Sequence, residues 1–181
     1  MLFERERKIR YLRFAALAAL VLLLSVLQNT DGFFPEPFGL HACLLIPVTV
    51  SIAIYEHETT GIFFGLFAGL LWDTCSAGGN YYAIFLVIIA YISGSLVNNI
   101  MRINIVTASL LSAVWLLVYH VGYFFTHFGI SQYYILLRRY LPAFLYSTLL
   151  APFIYLAVMA ICDAFEKIRG VQLPGTKDID Y

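Results

Sequence analysis

Charge is what this chain has least of. Asp, Glu, Lys and Arg make up 12% of its 181 residues, about half the roughly 25% carried by a soluble domain. Eleven Lys and Arg balance 11 Asp and Glu, for a formal net charge of +0. With no basic excess there is no electrostatic footprint for nucleic acid. Cysteine is equally thin. Cys43, Cys75 and Cys162 are scattered, with no CxxC pair and no zinc-ligand spacing, so they read as small apolar fillers. The usual catalytic signatures are also missing: there is no HExxH, no GxSxG and no Walker A. Away from the ends of the apolar runs a single acidic residue remains, Asp73. No two carboxylates are therefore expected to face one substrate. The chain is not expected to be an enzyme or to hold a cofactor or metal, and its tails and loops are too short to bury a soluble core.

What fills the chain is apolar: 61% of residues are hydrophobic and 17% aromatic. The charges sit at the ends of apolar runs, as insertion into a bilayer requires. The expected fold is all-α and integral to the membrane, one domain of six transmembrane helices over about 9–28, 38–55, 60–73, 81–97, 103–125 and 141–164. Arg5, Arg7, Lys8, Arg10 and Arg13 precede the first run, which places the N-terminus in the cytoplasm by the positive-inside rule. No A-x-A site follows, so this run reads as an uncleaved span. Six spans return the C-terminus to the cytoplasm, with 165–181 as a short tail. Asp31, Gly32, Pro35, Glu36 and Pro37 form a turn-rich outer loop. Pro47 predicts a kink in the second span and Pro152 one in the sixth. Glu56-His57-Glu58 reads as a solvated cytoplasmic hairpin. The aromatic connector carrying Arg138 and Arg139 falls outside, against the usual basic bias, where arginines can meet lipid phosphates.

The third span is the most patterned. Gly61, Gly65, Gly69 and Asp73 recur every four residues, so they share one helical face. A row of glycines is a flat groove into which another backbone can press. Each glycine costs about 1 kcal/mol of helix propensity relative to alanine, so three on one face imply that close approach is needed. Asp73 ends the stripe, where a charge must reach water, a partner or a functional cavity. Ala90, Gly94 and Asn98 make a matching small or polar stripe on the fourth span. Ala15 and Ala19 make a weaker one on the first. The segment Thr74 to Asn80, with Gly78 and Gly79, reads as irregular backbone. On the fifth span Tyr119, His120 and Tyr123 stand one turn or less apart. His120 is read as bonded between helices in preference to a proton relay or ligand group.

The residues Gly65, Leu66, Gly69, Leu70, Leu71 and Asp73, then Gly78, Gly79, Ala90, Tyr91 and Gly94, lie in an order that resembles the rod shape-determining protein MreD family. The size and span count match over nearly the whole chain. The resemblance implies a non-enzymatic component of the bacterial cell-elongation machinery in the cell membrane. Its partner would be an MreC-like bitopic membrane protein, linking MreB filaments indirectly to peptidoglycan synthases. Helix-in-groove association through Gly61, Gly65, Gly69, Asp73, Ala90 and Gly94 is the expected mechanism, with membrane lipids as the other contact. A rival reading comes from transport. Six short helices and the Ala15/Ala19 face are also similar to the substrate-binding S component of an energy-coupling factor vitamin transporter. Tyr119, His120 and Tyr123 would then line a ligand pocket. Both readings imply one six-helix fold, so helix count does not separate them.

Overall fold

The computed structural model describes residues 2–30, 42–56, 58–76, 81–99, 103–127 and 140–169. Six helices are found among them: α1 Leu2–Asn29, α2 Leu45–Glu56, α3 Glu58–Cys75, α4 Tyr82–Asn99, α5 Ile105–His127 and α6 Leu141–Arg169, with no strand. Four carry stretches long and apolar enough to cross a membrane, Arg7–Asn29, Tyr82–Asn99, Ile105–Thr126 and Leu141–Ile168, which is the plan of a multi-pass membrane protein. The loop holding Asp31, Pro35, Glu36 and Pro37 lies outside the described residues. So do His57, Gly78, Gly79, Arg138, Arg139 and the tail from 170 on.

The helix at the centre is α2, not the glycine-striped α3. Every residue from Leu45 to Glu56 is buried except Tyr55, which is half-buried. Its sequence, LIPVTVSIAIYE, has no polar face, and a helix apolar all round belongs inside. α1, α3, α4, α5 and α6 surround it. At 12 residues it rises only about 18 Å, short of the roughly 30 Å hydrocarbon layer. A span over 38–55 was expected. Residues 42–44 are non-helical, and the helix starts at Leu45. Pro47 explains the start. It falls in the first turn, where the absent N–H costs nothing. A helix continued upstream would drive its ring against the Cys43 carbonyl.

The polar hydroxyls inside α2 are satisfied locally. Thr49 donates to the Leu45 carbonyl at 2.8 Å and Ser51 to the Pro47 carbonyl at 2.7 Å. α3 and α4 pack as the most extensive helix pair, with α5 against α6 next. Phe14 of α1 meets Phe64 of α3 at a ring separation of 6.2 Å. Trp115 of α5 donates to Ser93 Oγ of α4 at 3.0 Å. α3 stays helical to Cys75, so the irregular segment expected from Thr74 begins later. α6 continues to Arg169, five residues past its expected end at 164, because Asp163 and Glu166 find partners inside the bundle.

Candidate functional site

The glycine face of α3 is occupied by helices of the same chain. A methyl built on Gly61 would lie 2.5 Å from the Ala53 Cβ of α2. On Gly65 it would lie 2.8 Å from the Leu86 carbonyl oxygen of α4, and on Gly69 2.7 Å from the Ala83 nitrogen. The reciprocal notch is Gly94 of α4, where it would lie 2.7 Å from the Glu58 Cα. Cβ atoms do not approach backbone this closely, so only glycine permits the seam. Ala90 is fully buried in it. The helices run antiparallel: Gly69 meets the start of α4 and Gly94 meets the start of α3. This corrects the expected partner-binding role of Gly61, Gly65 and Gly69. Their face is filled by α2 and α4 and offers no open surface to a second protein.

Asp73 completes the seam. Its Oδ1 accepts from the Tyr82 N–H at 2.9 Å and its Oδ2 from the Ala83 N–H at 3.1 Å. These are donors of the first turn of α4, for which the helix has no carbonyl of its own. A carboxylate there meets both the N–H groups and the positive end of the helix dipole. The lone acid is therefore an N-cap lent by one helix to the next.

α2 is fastened the same way at both ends. At its start the Gln28 Oε1 of α1 accepts from Leu44 N–H at 2.7 Å and Leu45 N–H at 3.0 Å. The Cys43 N–H donates to Ser147 Oγ of α6 at 2.9 Å. At its end Glu56 is buried and forms an ion pair with Arg13 of α1 at 2.8 Å. Arg13 also lies 3.7 Å from the Glu166 carboxylate of α6. The Cys162 thiol donates to Glu56 Oε1 at 3.4 Å, and the Tyr55 hydroxyl donates to Asp163. The spacing is self-consistent. Gln28 and Arg13 are about 22 Å apart along α1, and Ser147 and Cys162 about 22 Å apart along α6. Each pair brackets the roughly 18 Å of α2.

This junction corrects one expectation. Glu56 is no solvated hairpin residue: it is buried, and with Glu166 it converges on the Arg13 guanidinium. Sequence reasoning missed Arg13, Gln28, Glu56 and Glu166 as a set because each stands at the edge of an apolar run. The available signal was Glu56 itself, closing a 12-residue segment with no other charge.

The second cluster is aromatic. Trp72 stacks on Tyr82 with centroids 4.3 Å apart, and Tyr119 meets Trp72 at 5.3 Å and Tyr82 at 6.2 Å. His120 meets Tyr119 edge-on at 5.2 Å, and Tyr119 lies 6.0 Å from Tyr123. The three residues of the rival reading therefore stand together. His120 is buried, and its Nδ1 pairs with the Leu116 carbonyl at 2.8 Å. That bond lies within α5, not between helices as expected. A donating Nδ1 leaves Nε2 as the acceptor of a neutral ring. Among the described residues no group of three His, Cys, Asp or Glu is placed to hold a metal ion, and all three cysteines are free, Cys75 exposed and the others buried.

The arrangement can hold helices at fixed angles and depths. It seats one backbone against another, lends caps across the bundle and buries an ion pair at a three-helix junction. Comparison of the chain with protein-family models, with curated proteins and with solved structures finds no match.

Proposed function

We propose that this protein is a non-enzymatic membrane scaffold of the bacterial rod complex, with six spans and both termini in the cytoplasm. It is read as similar to the MreD family, binding an MreC-like bitopic protein and through it coupling MreB filaments to peptidoglycan synthesis. One observation carries this reading. Of the residues that carry the resemblance, Gly65, Gly69, Asp73, Ala90 and Gly94 lie in the α3–α4 seam and serve helix packing, while Leu66, Leu70 and Tyr91 face outward. A scaffold needs such a wall, because a partner helix reads the outer face of a body that must not deform. With the groove filled from within, the partner helix docks on an outward face.

The aromatic cluster supports the second reading, a ligand-binding transport component, through a buried His120 beside Tyr119, which in turn meets Tyr123. One experiment separates the two. The tagged protein is purified from its native membranes, and the eluate is analysed for both proteins and small molecules. The scaffold reading expects an MreC-like protein in near-stoichiometric yield. A stoichiometric vitamin-like molecule without that protein would refute it.

A further inference from the structure

The outward apolar surface is not the same height all round. On α5 the exposed apolar side chains run from Val106 to Phe125, about 28 Å of helix and close to the thickness of a hydrocarbon core. On α1 they run from Tyr11 to Val26, about 22 Å. On α4 and the residue before it they stop sooner, from Tyr81 to Ile92, about 16 Å. On α3 they run only from Phe63 to Leu70, about 10 Å. Beyond these limits α3 turns polar at both ends and α4 at its C-terminal end. Thr59 and Thr74 are exposed on α3, and Asn98 and Asn99 on α4. The same edge explains why α3, though 18 residues long, is not among the helices apolar enough to cross a membrane unaided. Glu58, Asp73 and three glycines dilute it.

We infer that the α3–α4 edge is a membrane-thinning surface, whose occupant is lipid drawn to a shorter hydrophobic height than at α5. A bilayer that kept its full thickness there would bury the Thr59 and Thr74 ends of α3 and the Asn98 end of α4 in hydrocarbon. A short hydrophobic stretch is met by thinning the bilayer, at a cost that grows with each ångström of mismatch. The edge is set by the fold, since the α3–α4 seam and the Asp73 cap fix both helices at one depth relative to each other. The inference does not rest on the scaffold reading, and holds whether or not a partner binds elsewhere.

The test uses the full chain in dioleoylphosphatidylcholine vesicles, with Cys75→Ser removing the exposed native thiol. Single variants Thr59→Cys and Thr74→Cys are compared with Val106→Cys and Val121→Cys, a pair with the same spacing on α5. A water-soluble maleimide is supplied on both sides, and buried Cys43 and Cys162 report folding by staying unlabelled. Both threonine sites are expected to label at least about ten-fold faster than both valine sites, since about 22 Å of helix separates each pair and only the thinned edge leaves both ends wet. The native Cys75 left in place on α3 and Asn98→Cys on α4, at the two opposite ends of the edge, give a second pair should a threonine variant fail to fold. Protection of the threonine sites to the level of the valine sites would overturn the inference. So would equal labelling of all four, which means a belt thin all round. Protection accompanied by a cross-linkable dimer would also overturn it, assigning the edge to a second copy.

Discussion

Removing Arg13 should be far more damaging than removing Arg13 and Glu56 together. The Glu56 side chain is 5% exposed and that of Arg13 19% exposed, with 2.8 Å between them. Arg13→Met leaves the Glu56 carboxylate desolvated with its guanidinium gone, and breaking a buried pair from one side costs about 3–5 kcal/mol. Glu56→Leu is milder, about 1–3 kcal/mol, because Arg13 keeps Glu166 at 3.7 Å and some access to water. In the double variant the desolvated Glu56 charge is gone and α2 gains an apolar end, and only Glu166, less buried than Glu56 and paired at 3.7 Å, loses its cation. Arg13 Nε, buried without a hydrogen-bond partner, disappears as well. The double variant should recover most of the loss and lie within about 2 kcal/mol of the parent, the remainder being the weaker Glu166 pairing. The structure supplies its own assay. In a Cys75→Ser background the remaining thiols, Cys43 and Cys162, are buried, so a thiol-reactive dye fluoresces only as the bundle opens. A loss of about 3 kcal/mol lowers the midpoint by roughly 6–12 °C for a chain of this size. If Arg13→Met shifts the midpoint no more than a surface change does, or if the double variant is as unstable as the worse single one, the ion pair does not hold the junction.

Three further outcomes follow from the same geometry. Gly69→Ala should destabilise by about 2 kcal/mol or more, since its methyl meets the α4 backbone at Ala83. Gly122→Ala, where nothing lies within 4 Å, should be neutral or gain up to about 1 kcal/mol; the dye assay ranks the pair, and reversed signs would refute the seam. Asp73→Ala strands two N–H groups of α4 and should cost about 2 kcal/mol, whereas Asp73→Asn keeps one acceptor and should cost about half as much. Before unfolding, a soluble maleimide should label Cys75 and leave Cys43 and Cys162 intact, read by intact mass; three labels on the folded protein would contradict the packing around α2.

Much of the local plan is legible in the chain. The four-residue glycine period of α3 marks a face for close backbone approach whatever fills it, because spacing alone puts those positions in line. The scarcity of charge and the long apolar runs indicate a helical membrane protein. The start of α2 was harder to read. The apolar residues from Phe38 onward mimic a longer span, and only the place of Pro47 in the first turn shows where the helix begins. Asp73 was legible as a residue in need of a partner, but nothing in the order of residues says that the partner is the first turn of α4.

What the sequence determines by itself is thus periodic and local: which segments are helical, which faces are small and where charge is tolerated. Tertiary structure alone decided that α2 lies at the centre and that it shares the groove of α3 with α4, whose small stripe already matched. It also decided that Arg13, Glu56 and Glu166, more than a hundred residues apart at the extremes, meet at one junction. The physical reason is that a small face or a charged helix end can be satisfied by any neighbour that offers a matching surface. The choice among neighbours depends on the simultaneous packing of all six helices, which no single segment encodes.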